Sequence, residues 1–296
     1  MATLVRWPAV DDDSAIDPPR SHKDRRMLRA AIALLLATGC ALARAQSAPE
    51  PPASPLTDHF ALRASAFLGS VSTDGTVNDT AAGTAGDAFS FEDDLHMKPK
   101  ANQLRAEFLF RMRERSRLRV DLWQLDRHAV GPLKRDIHIG SSDYLIDDTV
   151  DARFNWQQVD FTYTYSFLRG ERYELGAGLG IHLLQAEAES TVAARALHEN
   201  LSGAGPFATI ALDGGFRIAR RWSLNLRGQY FNLKVNKVKG SLGDYHLDLQ
   251  YRWRPNLAFG LGYLSTSTQL TVTGTNPDGS LKLATHGAEL FARASF

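Results

Sequence analysis

From Phe60 to the end of the chain, apolar and polar residues alternate one by one in run after run. In "LRAEFLFRM", Leu104, Ala106, Phe108, Phe110 and Met112 share one face, with Arg105, Glu107 and Arg111 on the other. Leu118, Val120 and Leu122 resume the apolar face against Arg119 and Asp121. "VDFTYTYSF" sets Val159, Phe161, Tyr163, Tyr165 and Phe167 against Asp160, Thr162, Thr164 and Ser166. In "YELGAGLGIHL" the polar face carries Glu174, His182 and glycines. A period of two belongs to strands, not helices. The pattern predicts ten strands, at 58–72, 101–113, 117–130, 150–168, 173–190, 206–218, 222–236, 243–254, 257–273 and 281–296.

The connections alternate in length. Those near 114–116, 169–172, 219–221 and 255–256 are tight; those at 73–100, 131–149, 191–205, 237–242 and 274–280 are mostly longer. An even strand number with short turns at one end and loops at the other predicts an all-β fold: a transmembrane up-and-down antiparallel β-barrel of ten strands, with eight or twelve as the neighbouring counts. A soluble sandwich also alternates, but its strands average about 5–6 residues, whereas a membrane-crossing strand needs about 9–11. Most of these runs meet the longer requirement. Phe167, Tyr173, Trp222, Tyr251 and Trp253 stand on the apolar face beside the short turns, as a girdle at a membrane–water boundary would.

The last strand ends in the same way. Phe296 shares a face with Ala288, Leu290, Ala292 and Ala294, opposite Glu289, Phe291 and Arg293. An alternating strand closed by a terminal phenylalanine resembles the Gram-negative outer-membrane β-barrels, and the resemblance covers the leader described below and all of 58–296. It implies residence in the outer membrane, membrane lipid and lipopolysaccharide as surroundings, and recognition of the last strand by the barrel-assembly machinery. A monomer is expected.

Composition limits the remaining possibilities. A net charge of +1 gives no overall basic character for nucleic acid. The mean hydropathy of −0.26 and the lack of an apolar run near about eighteen residues argue against spanning helices but not against strands. Residues 27–45 read as a signal peptide: Arg25, Arg26 and Arg29 flank the short apolar core Ala30–Leu42, and Ala43-Arg44-Ala45 supplies the cleavage site. Residues 46–57 form a proline-rich linker. Ala37-Thr38-Gly39-Cys40 offers a lipoprotein alternative, with Ala37 where such sites usually carry leucine. Residues 1–26 read as a disordered extension upstream of the expected start at Met27.

The polar face predicts a lumen filled by Arg63, Arg105, Glu107, Arg119, Asp121, Asp160, Glu174, Asp213, Arg227, Asp248, Arg252, Glu289 and Arg293. Turn geometry places Asp213 opposite Arg227 and, from a Trp253–Leu257 pair, Asp248 opposite Gly262. The network reads either as structural packing or as the gate of a solute path. The loop residues "FSFEDDLHMKPK" and Asp143, Asp147, Asp148 and Asp151 read as solvated acidic loops, since they lack calcium-loop spacing. Lys234, Lys237 and Lys239 lie at the height of lipopolysaccharide phosphates, or form a solvated charge run. Asp126 and His128 are the catalytic candidates, because omptin proteases have ten strands and use acidic residues with a histidine near the rim; no residue-by-residue match to that motif is found. His182 has glycine neighbours and no evident serine partner. Cofactor, metal and nucleotide motifs are absent. The expected function is an envelope barrel with a narrow charged lumen that presents loops; a narrow channel and a rim-sited hydrolase are the alternatives.

Overall fold

The computed structural model describes residues 58–79, 83–274 and 278–296. The extension, leader, Cys40 and linker lie outside them. The strands in chain order are β1 (Phe60–Asn78), β2 (Ala88–Ser90), β3 (Lys100–Arg113), β4 (Ser116–Pro132), β5 (Ile137–Ile139), β6 (Ser142–Tyr144), β7 (Thr149–Arg169), β8 (Tyr173–Val192), β9 (Leu197–Arg217), β10 (Trp222–Val235), β11 (Val238–Arg254), β12 (Leu257–Val272) and β13 (Asp278–Ser295). Ten of them form one antiparallel barrel in chain order, closed by β13 pairing with β1 from Ala61↔Ser295 to Asn78↔Asp278. Closure removes the free sheet edges at the level of the apolar belt. β2 adds to the loop end of β1, and β5–β6 form a separate small hairpin. At the turn end the Phe296 amide donates to the Phe60 carbonyl at 2.8 Å.

Two expected connections are strand instead. β8 runs to Val192, β9 begins at Leu197 and β11 at Val238, so most of the 191–205 and 237–242 segments joins the sheet, leaving a single 3-10 turn at Ala193–Arg195 between β8 and β9. Glycine, serine and other polar residues in these stretches gave them the composition of loops, but pairing with β8 and β12 holds them extended. The β10–β11 connection is only Asn236-Lys237, where Asn236 adopts a φ of 52°, a left-handed conformation asparagine tolerates. The register at β9–β10 places Asp213 opposite Arg227 and Phe216 opposite Leu224. At β11–β12, Asp248 stands opposite Gly262, but Leu257 pairs with Arg254 rather than Trp253 because of a bulge between Arg252 and Arg254. Further bulges lie between Arg111 and Arg113 and between Ser166 and Leu168. All three adjoin short turns, where an extra residue bends the strand into the connection.

The outer wall is apolar. Leu104, Leu179 and Ile210 are 77%, 68% and 65% exposed, and outward side chains on every barrel strand join them in one belt. On β8 the belt runs from Tyr173 to Leu183, about 33 Å along the strand and about 25 Å along a normal tilted by about 40°. Phe167, Tyr173, Trp222, Trp253 and Phe296 are exposed at its turn end. Tyr251 packs against Trp222, ring centroids 5.0 Å apart.

Above the belt the alternation reverses phase. On β7 the outward residues below are Val159 to Phe167; above, Arg153, Asn155 and Gln157 face out while Val150, Ala152, Phe154 and Trp156 are buried inside. On β8 the change falls at Leu183–Leu184, after which Gln185 and Glu187 face out and Leu184 and Ala186 face in. Pairing stays continuous through the reversal on β7–β8, so the inside–outside chemistry inverts without a bulge. A strand leaving hydrocarbon for water would be patterned in this way.

Candidate functional site: the filled lumen

The interior is layered. At the turn end, Arg252 holds both oxygens of Asp58 at 2.9 and 2.6 Å, Ser295 Oγ donates to Asp58 at 2.8 Å, and Arg293 lies 3.3 Å away. Beside them Arg111 grips Glu174 through two bonds of 2.9 Å. Ser166 Oγ also donates to Glu174, and Arg117 approaches it at 3.7 Å. Two parallel guanidinium–carboxylate bonds are the strongest form of this pair.

The middle layer bridges the barrel. Arg63 donates to Asp248 and Glu289, each at 2.5 Å, and its guanidinium lies 3.7 Å from the Phe291 ring centroid. Arg227 reaches Glu107 at 2.8 Å and Asp121 at 3.3 Å, while Asp213 pairs with Arg119 at 3.1 Å and Arg117 at 3.6 Å. Asp213 and Arg227, neighbours in register, therefore choose partners across the lumen. Charges enclosed by a low-dielectric wall need partners, and these two find theirs on β3 and β4.

Above this layer His182, fully buried, contacts Asp160 at 2.8 Å through Nδ1 and Gln229 at 2.9 Å through Nε2. His246 and Asp244 meet at 2.9 Å. Gly180 makes space for this cluster: a Cβ there would lie 2.5 Å from Thr209 Oγ1 and 2.6 Å from Gln229 Oε1. Two cavities among the charged residues measure about 20 and 50 Å³, room for a few waters at about 10–15 Å³ each; a wider, half-open one of about 510 Å³ reaches Arg63, Ser65, Arg105 and Phe291 from the apolar wall at Leu62, Leu104 and Leu290.

The loop end is blocked differently. Phe89, Phe91, Leu95 and Met97 from the first loop, with Leu133, Ile137 and Tyr144 from the second, pack inside the barrel against Trp123, Phe154 and Trp156. The first loop was expected to be a solvated acidic one, and this corrects it. Its acids serve as anchors: Glu92 accepts the Thr73 amide at 2.9 and 3.1 Å and pairs with Arg127 at 2.6 Å. Arg135 holds Asp94 through two bonds of 3.0 Å. Partial burial pushes the Asp94 carboxyl up, but hydrogen bonds from Arg135 and the Ser90 amide hold it below the usual carboxylate range. Arg105 lies 4.5 Å from the Trp123 ring, at the border between the charged and apolar layers.

The catalytic candidates stand outside the lumen. Asp126 and His128 face outward from β4 above the belt. His128 bonds Asp151 at 2.8 Å, with Arg153 3.5 Å from the same carboxylate, and Asp126 accepts from Gln124 at 2.9 Å. Both candidates thus lie on an exposed charged surface, away from the buried lumen network. Lys234 and Lys239 are cross-strand partners on the outer face, whereas Lys237 turns to donate to the Gly274 carbonyl. Sequence reasoning missed Asp58, Arg117, Arg127, Asp244 and His246. Arg111 had the right parity and was passed over; Asp58 opened the expected 58–72 strand but stood on the opposite parity to Arg63 and gave no such signal.

A closed, even-stranded antiparallel barrel with an apolar girdled wall and a polar interior defines the class of outer-membrane-type transmembrane β-barrels. No protein family and no curated protein matches the chain. Among solved structures it is similar to the outer membrane protease OmpT from Escherichia coli (11% identity, TM-score 0.46, covering 82% of this chain and 98% of that one). It is also similar to OprG from Pseudomonas aeruginosa (11%, 0.37, 81% and 98%) and to Ail, the attachment invasion locus protein of Yersinia pestis (9%, 0.31, 79% and 99%).

Proposed function

We propose that the chain is a sealed outer-membrane barrel that displays its loop end outward and serves the envelope as a structural or surface-interaction protein rather than as an open channel. One observation carries this reading: two unlike obstructions lie in series, a charged network spanning the lumen and an apolar plug above it. Water-filled channels of this class have lumens wider than a ten-strand wall provides. The last strand and Phe296 present the assembly signal, and the outward Lys234 and Lys239 sit where lipopolysaccharide phosphates would meet them.

Planar-bilayer conductance tests the seal. The wild type is expected to show no sustained current, and neither Arg227→Ala nor replacement of residues 87–97 by a short linker is expected to open it alone. Combined, they open a cation-selective path, because Glu107 and Asp121 lose a cationic partner. A steady ohmic current from the wild-type protein refutes the sealed-barrel reading.

A further inference from the structure

Inside the loop end, beside the plug, lies a partly open cavity of about 90 Å³. Its inward walls are Phe89, Phe91, Phe154, Ala186, Leu270 and Leu281. Gly75 keeps space for one wall, since a Cβ there would stand 2.8 Å from the Phe89 ring. The two lower cavities, of about 20 and 50 Å³, are lined by guanidinium and carboxylate groups that can hold water. This one offers inward hydrocarbon. Packed interiors seldom leave voids much larger than a water molecule, and apolar cavities stay dry and take up molecules such as benzene or xenon.

The wall beside the cavity is incomplete. β9 pairs with β10 only as far as Ile210↔Tyr230, and above that point it bonds β8 alone. The stretch concerned reads "SGAGPF": Gly203 and Gly205 put no side chain inward, and Pro206 has no N–H to give a ladder. Phe207 and Phe231 meet edge-to-face, centroids 5.6 Å apart, as a sill beneath the gap. Ser202 and Gly203, above the sill, line the cavity. An apolar molecule entering here would stay above both charged layers; Asp278, the one ionisable residue among those lining the cavity, accepts a hydrogen bond from Asn78.

We propose that this cavity is a binding site for a small, uncharged, apolar molecule about the size of a single hydrocarbon ring, admitted above the Phe207–Phe231 sill. The site goes beyond the sealed-barrel reading and does not depend on it, because the ligand stops above the charged network.

Two measurements on the intact mature barrel test it. Crystals pressurised with xenon should show an anomalous peak enclosed by Phe89, Phe91 and Phe154. In nanodiscs, fluorobenzene should give a bound ¹⁹F resonance distinct from its lipid-partitioned one, with p-fluorobenzoate at least tenfold weaker. Ala186→Phe fills the cavity and should remove the xenon peak and weaken fluorobenzene at least tenfold; Ala186→Val, a smaller change, should weaken it less. Xenon confined to the outer belt, fluorobenzene binding that both variants leave unchanged, or an extended acyl chain occupying the cavity would each overturn the proposal.

Discussion

Leu179→Arg separates a lipid-facing wall from a water-facing one. Leu179 is 68% exposed near the middle of the Tyr173–Leu183 run, between Tyr163 on β7 and Ile210 on β9. On an ordinary aqueous surface the exchange would be close to neutral. At a bilayer midplane an arginine on a barrel wall costs about 2–4 kcal/mol, equivalent to about 30- to 900-fold in the unfolding constant. Gln185 shares the outward face of β8 above the phase reversal, so Gln185→Arg serves as the internal control and is expected to cost about 0–1 kcal/mol. The assay is reversible guanidinium unfolding of the mature barrel in lipid vesicles, followed by tryptophan emission. Equal effects of the two substitutions, or a neutral Leu179→Arg, would refute the assignment of the belt to hydrocarbon.

Three further expectations can be checked. Glu174→Ala strands Arg111 and Arg117 without their shared acid and should lower stability by about 3–5 kcal/mol in the same unfolding assay; a loss below about 1 kcal/mol would mean the pair is not dry. Because the Asp94 carboxyl is held below its unfolded value, its contribution to docking the first loop is complete above about pH 4 and lost as pH falls through the lowered pKa. Hydrogen exchange of amides 88–98 should therefore be unchanged between pH 7 and 5 after correction for intrinsic rates, with protection falling only as the pH drops below about 4. Deleting Phe296, whose backbone bonds Phe60 across the closing seam, should lower the yield of heat-modifiable folded barrel in cells severalfold while in-vitro refolding is less affected.

The strand count and register were legible because period-two alternation is local and short turns fix which residues oppose each other. The layering of the interior was legible too, in principle: Val150, Ala152, Phe154 and Trp156 alternate on the opposite parity to Val159–Phe167. Attention to strand membership alone merges the two phases into one run. The partner choices of Asp213 and Arg227 were not legible. They depend on how strands distant in sequence face one another across a curved wall, which tilt and stagger set. Nor did residues 91–97 reveal that their acids tether an apolar segment; "FEDDLHM" mixes both chemistries and has no period.

Arg63 reaches Asp248 and Glu289, residues 185 and 226 positions further along. Contacts so remote in sequence form late, since the intervening chain must first be brought round. An inserted but unjoined ribbon would therefore leave guanidinium and carboxylate groups wet along its concave side. Zipping the final seam and drying those groups become a single event, and a half-built cylinder of this chain has no resting place in hydrocarbon.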